Sequence, residues 1–345
     1  MATVYRTASK VAWPTRKQAV FGSPLEKTDL AKFLKLQDPL VINENAEHWT
    51  DRGAIGKGHD WETQRGKVRQ FVRFEIPVQP LPVDFIGYLL ALFFSRESAS
   101  TNGSGAYEHT AKFNSLADRP EAYVTSLAVL EDGEDRCLQD VACTGLTLRG
   151  QGTNRLEAGG SFVASKIGDT LSGYSWPAAS ALRYLYNYAG TFTLDAADRK
   201  TQLQDFELSL EAGIDTDLAW RKEASEAERI YPALWPYTPE RSMELKISLL
   251  AEGGDLAAFR SAQQAGTEQA VVLSCLGESI PGTDPADHDE VEISVPKAVF
   301  TAVDYSYGSG LLQLDLSLEG RYDSGLQGPV SIKTTEGSTE EYFAA

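Results

Sequence analysis

At 345 residues and 42% apolar composition, the chain is long enough for two packed units of roughly 150 residues each. Residues 1–200 hold 23 Lys and Arg against 23 Asp and Glu, so the whole net charge of −17 falls in residues 201–345, and an acidic surface of that kind argues against a nucleic-acid binder. The longest apolar run, Phe85 to Phe94, is about half of what a bilayer-spanning helix needs, which excludes a transmembrane-helix protein.

The opening residues, Met1-Ala2-Thr3-Val4-Tyr5-Arg6, contain no apolar core of a secretory signal. Asp29 to Leu36 predicts a short helix, with Leu30, Phe33 and Leu36 on one face. Residues 43–67 are polar and glycine-rich and carry Trp49 and Trp61, the pattern of a long loop or an extended hairpin arm. Val68 to Ile76 alternates as a strand, with Arg69 and Arg73 on the wet face and Pro77, Pro80 and Pro82 as its stop. A helix follows from Asp84, taken as its N-cap, to Ser95; it is apolar all round and therefore buried on several sides. Residues 97–106 read as a flexible loop and Ala122 to Leu130 as a strand. A glycine-linked hairpin then runs through 143–149 and 160–167. Asp169 to Asn187 is a connector pinned by Tyr174, Trp176, Tyr184 and Tyr186.

The same order then returns. Strands are expected at 191–194, 206–210 and 243–250, a helix from Asp255 as N-cap to Ala265, and strands at 269–276, 299–307 and 311–318. The last of these puts Leu312, Leu314, Leu316 and Leu318 on one face and Gln313, Asp315 and Ser317 on the other. Residues 211–241 form a second polar excursion with two tryptophans, Trp220 and Trp235. The internal repeat predicts a mainly β (α+β) chain with one short helix per module. The first module spans 1–175 with its arm at about 43–67, the second 185–335, and an acidic tail occupies 336–345.

Chemistry is sparse. Of the four histidines only His48 and His59 are near in sequence, and they lack a metal-binding motif. Cys137, Cys143 and Cys275 have no metal-like spacing and read as buried thiols. Glu131-Asp132-Gly133-Glu134-Asp135 and residues 284–292 are acidic clusters without the spacing of a calcium loop, and read as solvated turns. Asn102 to Ala106 fails as a nucleophile elbow, because Asn102 and Ala106 stand where glycines are required. Gly53 to Gly58 fails as a phosphate loop for want of the spacing and of a strand before it. No enzyme activity, cofactor or metal is expected.

The stretches Phe71–Phe94, Ala122–Gly150, Met243–Gly266 and Val291–Asp323, in which a strand, a helix, a second strand and a hairpin succeed one another, resemble the major tail tube protein of long-tailed bacteriophages. The resemblance implies two tandem tail-tube-like β-barrel or sandwich modules. It implies stacked rings around a channel for genome delivery, with three two-module chains making a pseudo-hexameric ring. It implies self-association, contacts with tape measure, terminator and distal tail proteins, and double-stranded DNA that passes without tight binding. No membrane partner is expected. The place would be the virion tail, assembled in the host cytoplasm. Within that frame Trp49, Asp51, Arg52, Trp61, Trp220 and Trp235 are the expected inter-ring contacts, and Glu131, Asp132, Glu134, Asp135 and Asp315 the expected lumen-facing acids. The alternatives are a minor tail or tube-initiator protein, or a two-module carbohydrate-binding or adhesin protein whose aromatic arms stack on sugars.

Overall fold

The computed structural model describes residues 2–14, 17–19, 21–51, 64–95, 98–101, 105–113, 121–131, 134–177, 182–217, 232, 234–238, 240–284, 286–308, 311–337 and 342. The fold is mainly β. Its first half contains β1 (Ala2–Trp13), β2 (Lys32–Asp51), β3 (Gln64–Pro80), α1 (Val83–Phe94), β4 (Ala99–Thr101), β5 (Tyr107–Lys112), β6 (Thr125–Glu131), β7 (Glu134–Gln151), β8 (Glu157–Ala164) and β9 (Lys166–Thr170). The second contains β10 (Phe192–Leu194), β11 (Ala197–Asp198), β12 (Leu203–Glu211), β13 (Ser242–Leu250), α2 (Asp255–Ala265), β14 (Gln269–Ser279), β15 (His288–Gly308), β16 (Leu311–Gly320) and β17 (Ser331–Glu336).

Six strands of the first half close into a barrel, each pairing with the next in the cycle β1, β2, β3, β8, β7, β6 and back to β1. The reason lies in the alternation. Along β3, Val72, Phe74 and Ile76 are buried while Arg73 and Glu75 are exposed, so one face of each strand turns inward. α1 packs against this core, and every residue in it but Asp84 is buried. Phe85 lies 4.4 Å from Trp13 between ring centroids, and the Tyr88 hydroxyl donates to Thr125 Oγ1 at 3.2 Å.

The second half repeats the pairing order. β2–β3–β8–β7 corresponds to β12–β13–β16–β15, and β6 on β7 corresponds to β14 on β15. Among the described residues the halves are joined by the strand pairs β7 with β12 and β5 with β17, and one contiguous hydrophobic core runs through both. α2 differs from α1 in burying only Asp255 and Phe259.

Several expectations need correction. Residues 32–36 belong to β2 and not to a helix, because Leu34 and Leu36 are buried with period two. Pro77 does not end β3; the pairing shifts between Ile76 and Gln79, and the strand continues to Pro80. The helix caps are Pro82 and Gly254, with Asp84 and Asp255 inside the first turns. The presumed loop at 97–106 contains β4, paired with β5. The arm at 43–67 needs no such correction: of the two readings, loop or extended hairpin, it is the hairpin, paired as far as Asp51 and Gln64. The acidic tail is anchored at two points: Glu336 ends β17, and Tyr342 is 4% exposed.

Candidate assembly interface

β7 and β15 carry the same irregularity. Pairing with the next strand shifts between Cys143 and Gly145 in β7, and between Phe300 and Ala302 in β15. Aligned on these bulges, Gly145–Gln151 corresponds to Ala302–Gly308. The two stretches differ in one respect. The β7 stretch is paired on both edges, with β8 on one side and β12 on the other. Among the described residues the β15 stretch has β16 on one edge and no strand on the other.

The side chains record the difference. Leu148, under β12, is 0% exposed, whereas its counterpart Tyr305 is 47% and Tyr307 75% exposed. Both tyrosines stand on the core-side face, since Tyr305 opposes the buried Leu314 and Tyr307 opposes Leu312. The rings contact each other edge-on at 6.0 Å, and Arg260 of α2 lies 5.0 Å over Tyr305. Gln263 of α2 donates to the Thr301 carbonyl at 2.9 Å, at the bulge where the edge begins. An unpaired strand edge flanked by exposed aromatics is a template for adding a strand from another chain.

The opposite face of the same sheet is polar. On β12, β13, β16 and β15 it presents Glu207, Glu211, Glu244, Asp304, Asp315 and Glu319 against Lys246. On β3, β8 and β7 it presents Glu75 and Glu157 against Arg73 and Arg149. The lopsided charge of the sequence thus reappears on one surface. Two like-charged pairs stand directly opposed across strands, Glu244 with Glu319 and Asp304 with Asp315. Asp315 accepts from Ser248 Oγ at 2.5 Å and from Gln313 Nε2 at 3.2 Å. Glu211 lies over Gly145, and burial pushes its carboxyl above the usual range.

The singled-out acids do not all share this face. Glu131 and Glu134 oppose each other at the tip of the β6–β7 hairpin, at the far end of β7 from the polar face. Glu134 pairs with Arg136 at 2.8 Å, and Asp135 accepts the Trp176 indole N–H at 2.7 Å, tying the connector down. Asp132 lies outside the described residues.

Of the arm residues, Trp49 and Asp51 sit at the far end of β2, opposite Gly66 and Gln64. Arg52, Trp61 and Trp220 lie outside the described residues, as do His59 and the 52–58 glycine stretch. Trp235 is a core residue: it is 1% exposed and donates its indole N–H to the Asp140 carbonyl at 2.6 Å, so it has no surface to offer another ring. Sequence reasoning missed Tyr305 and Tyr307. The alternation of Val303, Tyr305 and Tyr307 with Asp304 and Ser306 marks a two-faced strand, but nothing in it shows which edge lacks a neighbour.

A buried charged cluster lies where α1, β5, β15, β17 and the C-terminal residues converge. Arg183 reaches Asp289 at 2.6 Å, and His109 lies 3.7 Å from Glu336. The Tyr342 ring packs at 4.4 Å on that of His109. Burial raises the Asp289 carboxyl to about 7 despite the opposing pull of Arg183. It also raises Glu336 and Asp84. Among the described residues no group of three or more His, Cys, Asp or Glu is placed to hold a metal ion, and the three thiols are buried and free. No helix among them is long and apolar enough to cross a membrane. No family model matches the chain, and no curated protein matches it.

Proposed function

We propose that this chain is the structural subunit of a phage tail tube, assembling head to tail into trimeric rings that stack around a channel. The β7–β12 joint carries this reading. It is an edge-to-edge contact between two halves that share a pairing order, and among the described residues the corresponding edge of β15 is left open. Repeating the internal joint between chains is a heterologous contact, and such contacts form a ring when the rotation closes. Three chains of two halves each give six near-equivalent positions. The polar, acidic sheet face then lines the channel and lets DNA pass by repelling its phosphates. Tape measure, terminator and distal tail proteins would be the other partners, and the assembled particle would be a virion tail put together in the host cytoplasm.

Negative-stain electron microscopy of the purified chain over a concentration series tests the reading. Tubes, or rings with threefold or pseudo-sixfold symmetry, are expected. Single closed rings that never stack would instead fit an initiator ring. A chain that stays monomeric at every concentration overturns the proposal.

A further inference from the structure

The bulge alignment also identifies the strand that should meet the open β15 edge. β12 corresponds to β2: Leu208 opposes Leu245 as Ile42 opposes Phe74, and Glu207 opposes Lys246 as Val41 opposes Glu75. β12 gives its other edge to β7, with Leu208 opposite Leu148. Carried over, the edge of β2 away from β3 should take β15 of a second copy, with Ile42 opposite Tyr305 and Asn43 opposite Asp304. That edge is occupied. Ala2 to Ala8 of β1 pair along it, from Ala46 to Leu40, over the same positions that β12 uses to bind β7.

The two halves also part company along β1. β1 and β10 run equivalently against β6 and β14, with Val11 opposite Val129 as Phe192 is opposite Leu273. One step further toward the N-terminus, Lys10 corresponds to Thr191; at the next, Ser9 corresponds to Gly190. In the second half the chain turns away there, through the 3-10 turn Asn187–Ala189, and leaves the edge of β12 clear for β7. In the first half the register of β1 on β2 also breaks at Ser9, between Ala8 and Lys10, but the strand resumes and covers the edge.

We propose that Ala2–Thr7 is a displaceable guard strand, hinged at Ser9, which holds the β2 edge until β15 of a second copy takes its place. This rests on the assembly reading above. The exchange replaces one antiparallel ladder with another of similar length, so few hydrogen bonds are lost. It also covers Tyr305 and Tyr307, which the lone chain leaves to water. A guarded edge of this kind keeps the subunit from pairing indiscriminately before assembly.

Disulfide staples test the guard. Thr3 opposes Asn45 and Val4 opposes Glu44. Adjacent cross-strand pairs alternate between the hydrogen-bonded and the closer non-hydrogen-bonded kind, so one of T3C/N45C and V4C/E44C has the tighter geometry. Self-association is read by sedimentation velocity, with oxidised and reduced samples of the same protein compared. The expected result is loss of association on oxidation and its return on reduction. Deleting residues 2–7 should shift association to lower concentration than in the parent chain. If the oxidised chain associates as readily as the reduced one, the guard is wrong and the assembly reading stands. If parent, reduced and deleted chains all stay monomeric, the assembly reading itself fails.

Discussion

Single residues decide where this chain can bend and what it can bury. A Cβ at Gly190 would fall on the Ser274 carbonyl, in a strand that is also tied to Thr191 through Ser274 Oγ. Backbone cannot retreat there, so Gly190→Ala should cost about 3 kcal/mol or more of stability. The atoms nearest to a Cβ at Gly87 would instead be the hydroxyl and ring of Tyr342. That side chain can leave, so Gly87→Ala should cost about 1–2 kcal/mol. Once Tyr342→Ala has emptied the site, adding Gly87→Ala should cost almost nothing more. Urea midpoints of the single and double variants check all of this, and an additive pair would disprove the contact. The residue scale is also where sequence reading failed. A tryptophan in a polar stretch needs an apolar partner whether that partner is another chain or its own core. Trp235 found its place against Phe21, Phe71 and the Asp140 carbonyl, and no local pattern distinguishes the two cases.

At the scale of elements, strand periodicity and the strand-helix-strand order were legible, because alternation reports one buried face directly. The edges were not, because an edge is filled by a strand distant in sequence. β5 joining β17 is the clearest example: nothing in Tyr107–Lys112 announces a partner more than two hundred residues away, nor the charged cluster which that seam encloses. The cluster gives the seam a pH dependence of defined sign. The Asp289 carboxyl is raised from its ordinary 3.8 to about 7 by burial, and Glu336 and Asp84 are raised with it. Arg183 and Lys32 face them as the opposing charges, and the rings of His109 and Tyr342 lie beside them. Between those values the folded chain holds a proton that the unfolded chain has released. Stability is therefore greatest at the acid end of the window, falls as pH rises through it, and levels off above about 7. Asp289→Asn should flatten that fall. Urea midpoints measured from about pH 4 to about pH 8 are the check, and an unchanged slope would remove Asp289 as its source.

For the whole molecule, the open edge and the acidic face make separate demands. Lysine on an edge strand is a common block to pairing. Tyr307 is 75% exposed and Tyr305 loses only the Arg260 stacking and its contact with Tyr307, so Y305K/Y307K should lower the thermal midpoint of the lone chain by only a few degrees while abolishing self-association. The acidic face poses a sharper test, because local stability and proposed use pull in opposite directions. Glu244 facing Glu319 and Asp304 facing Asp315 are like charges placed directly across strands, an arrangement that destabilises a sheet by about 0.2–1 kcal/mol per pair. A sequence shaped for stability alone would have put a lysine at one position of each pair. Glu319→Lys and Asp315→Lys make that change on β16, which is paired on both sides and stands away from the open edge. The double variant should be as stable as the parent or slightly more so, despite losing the Ser248 bond to Asp315. If the face lines a channel for DNA, its assemblies should retain DNA that the parent releases, with retention falling as salt rises because it is ionic. A variant that gains stability and gains no affinity for DNA would take this face out of the channel while leaving the β-edge joint intact.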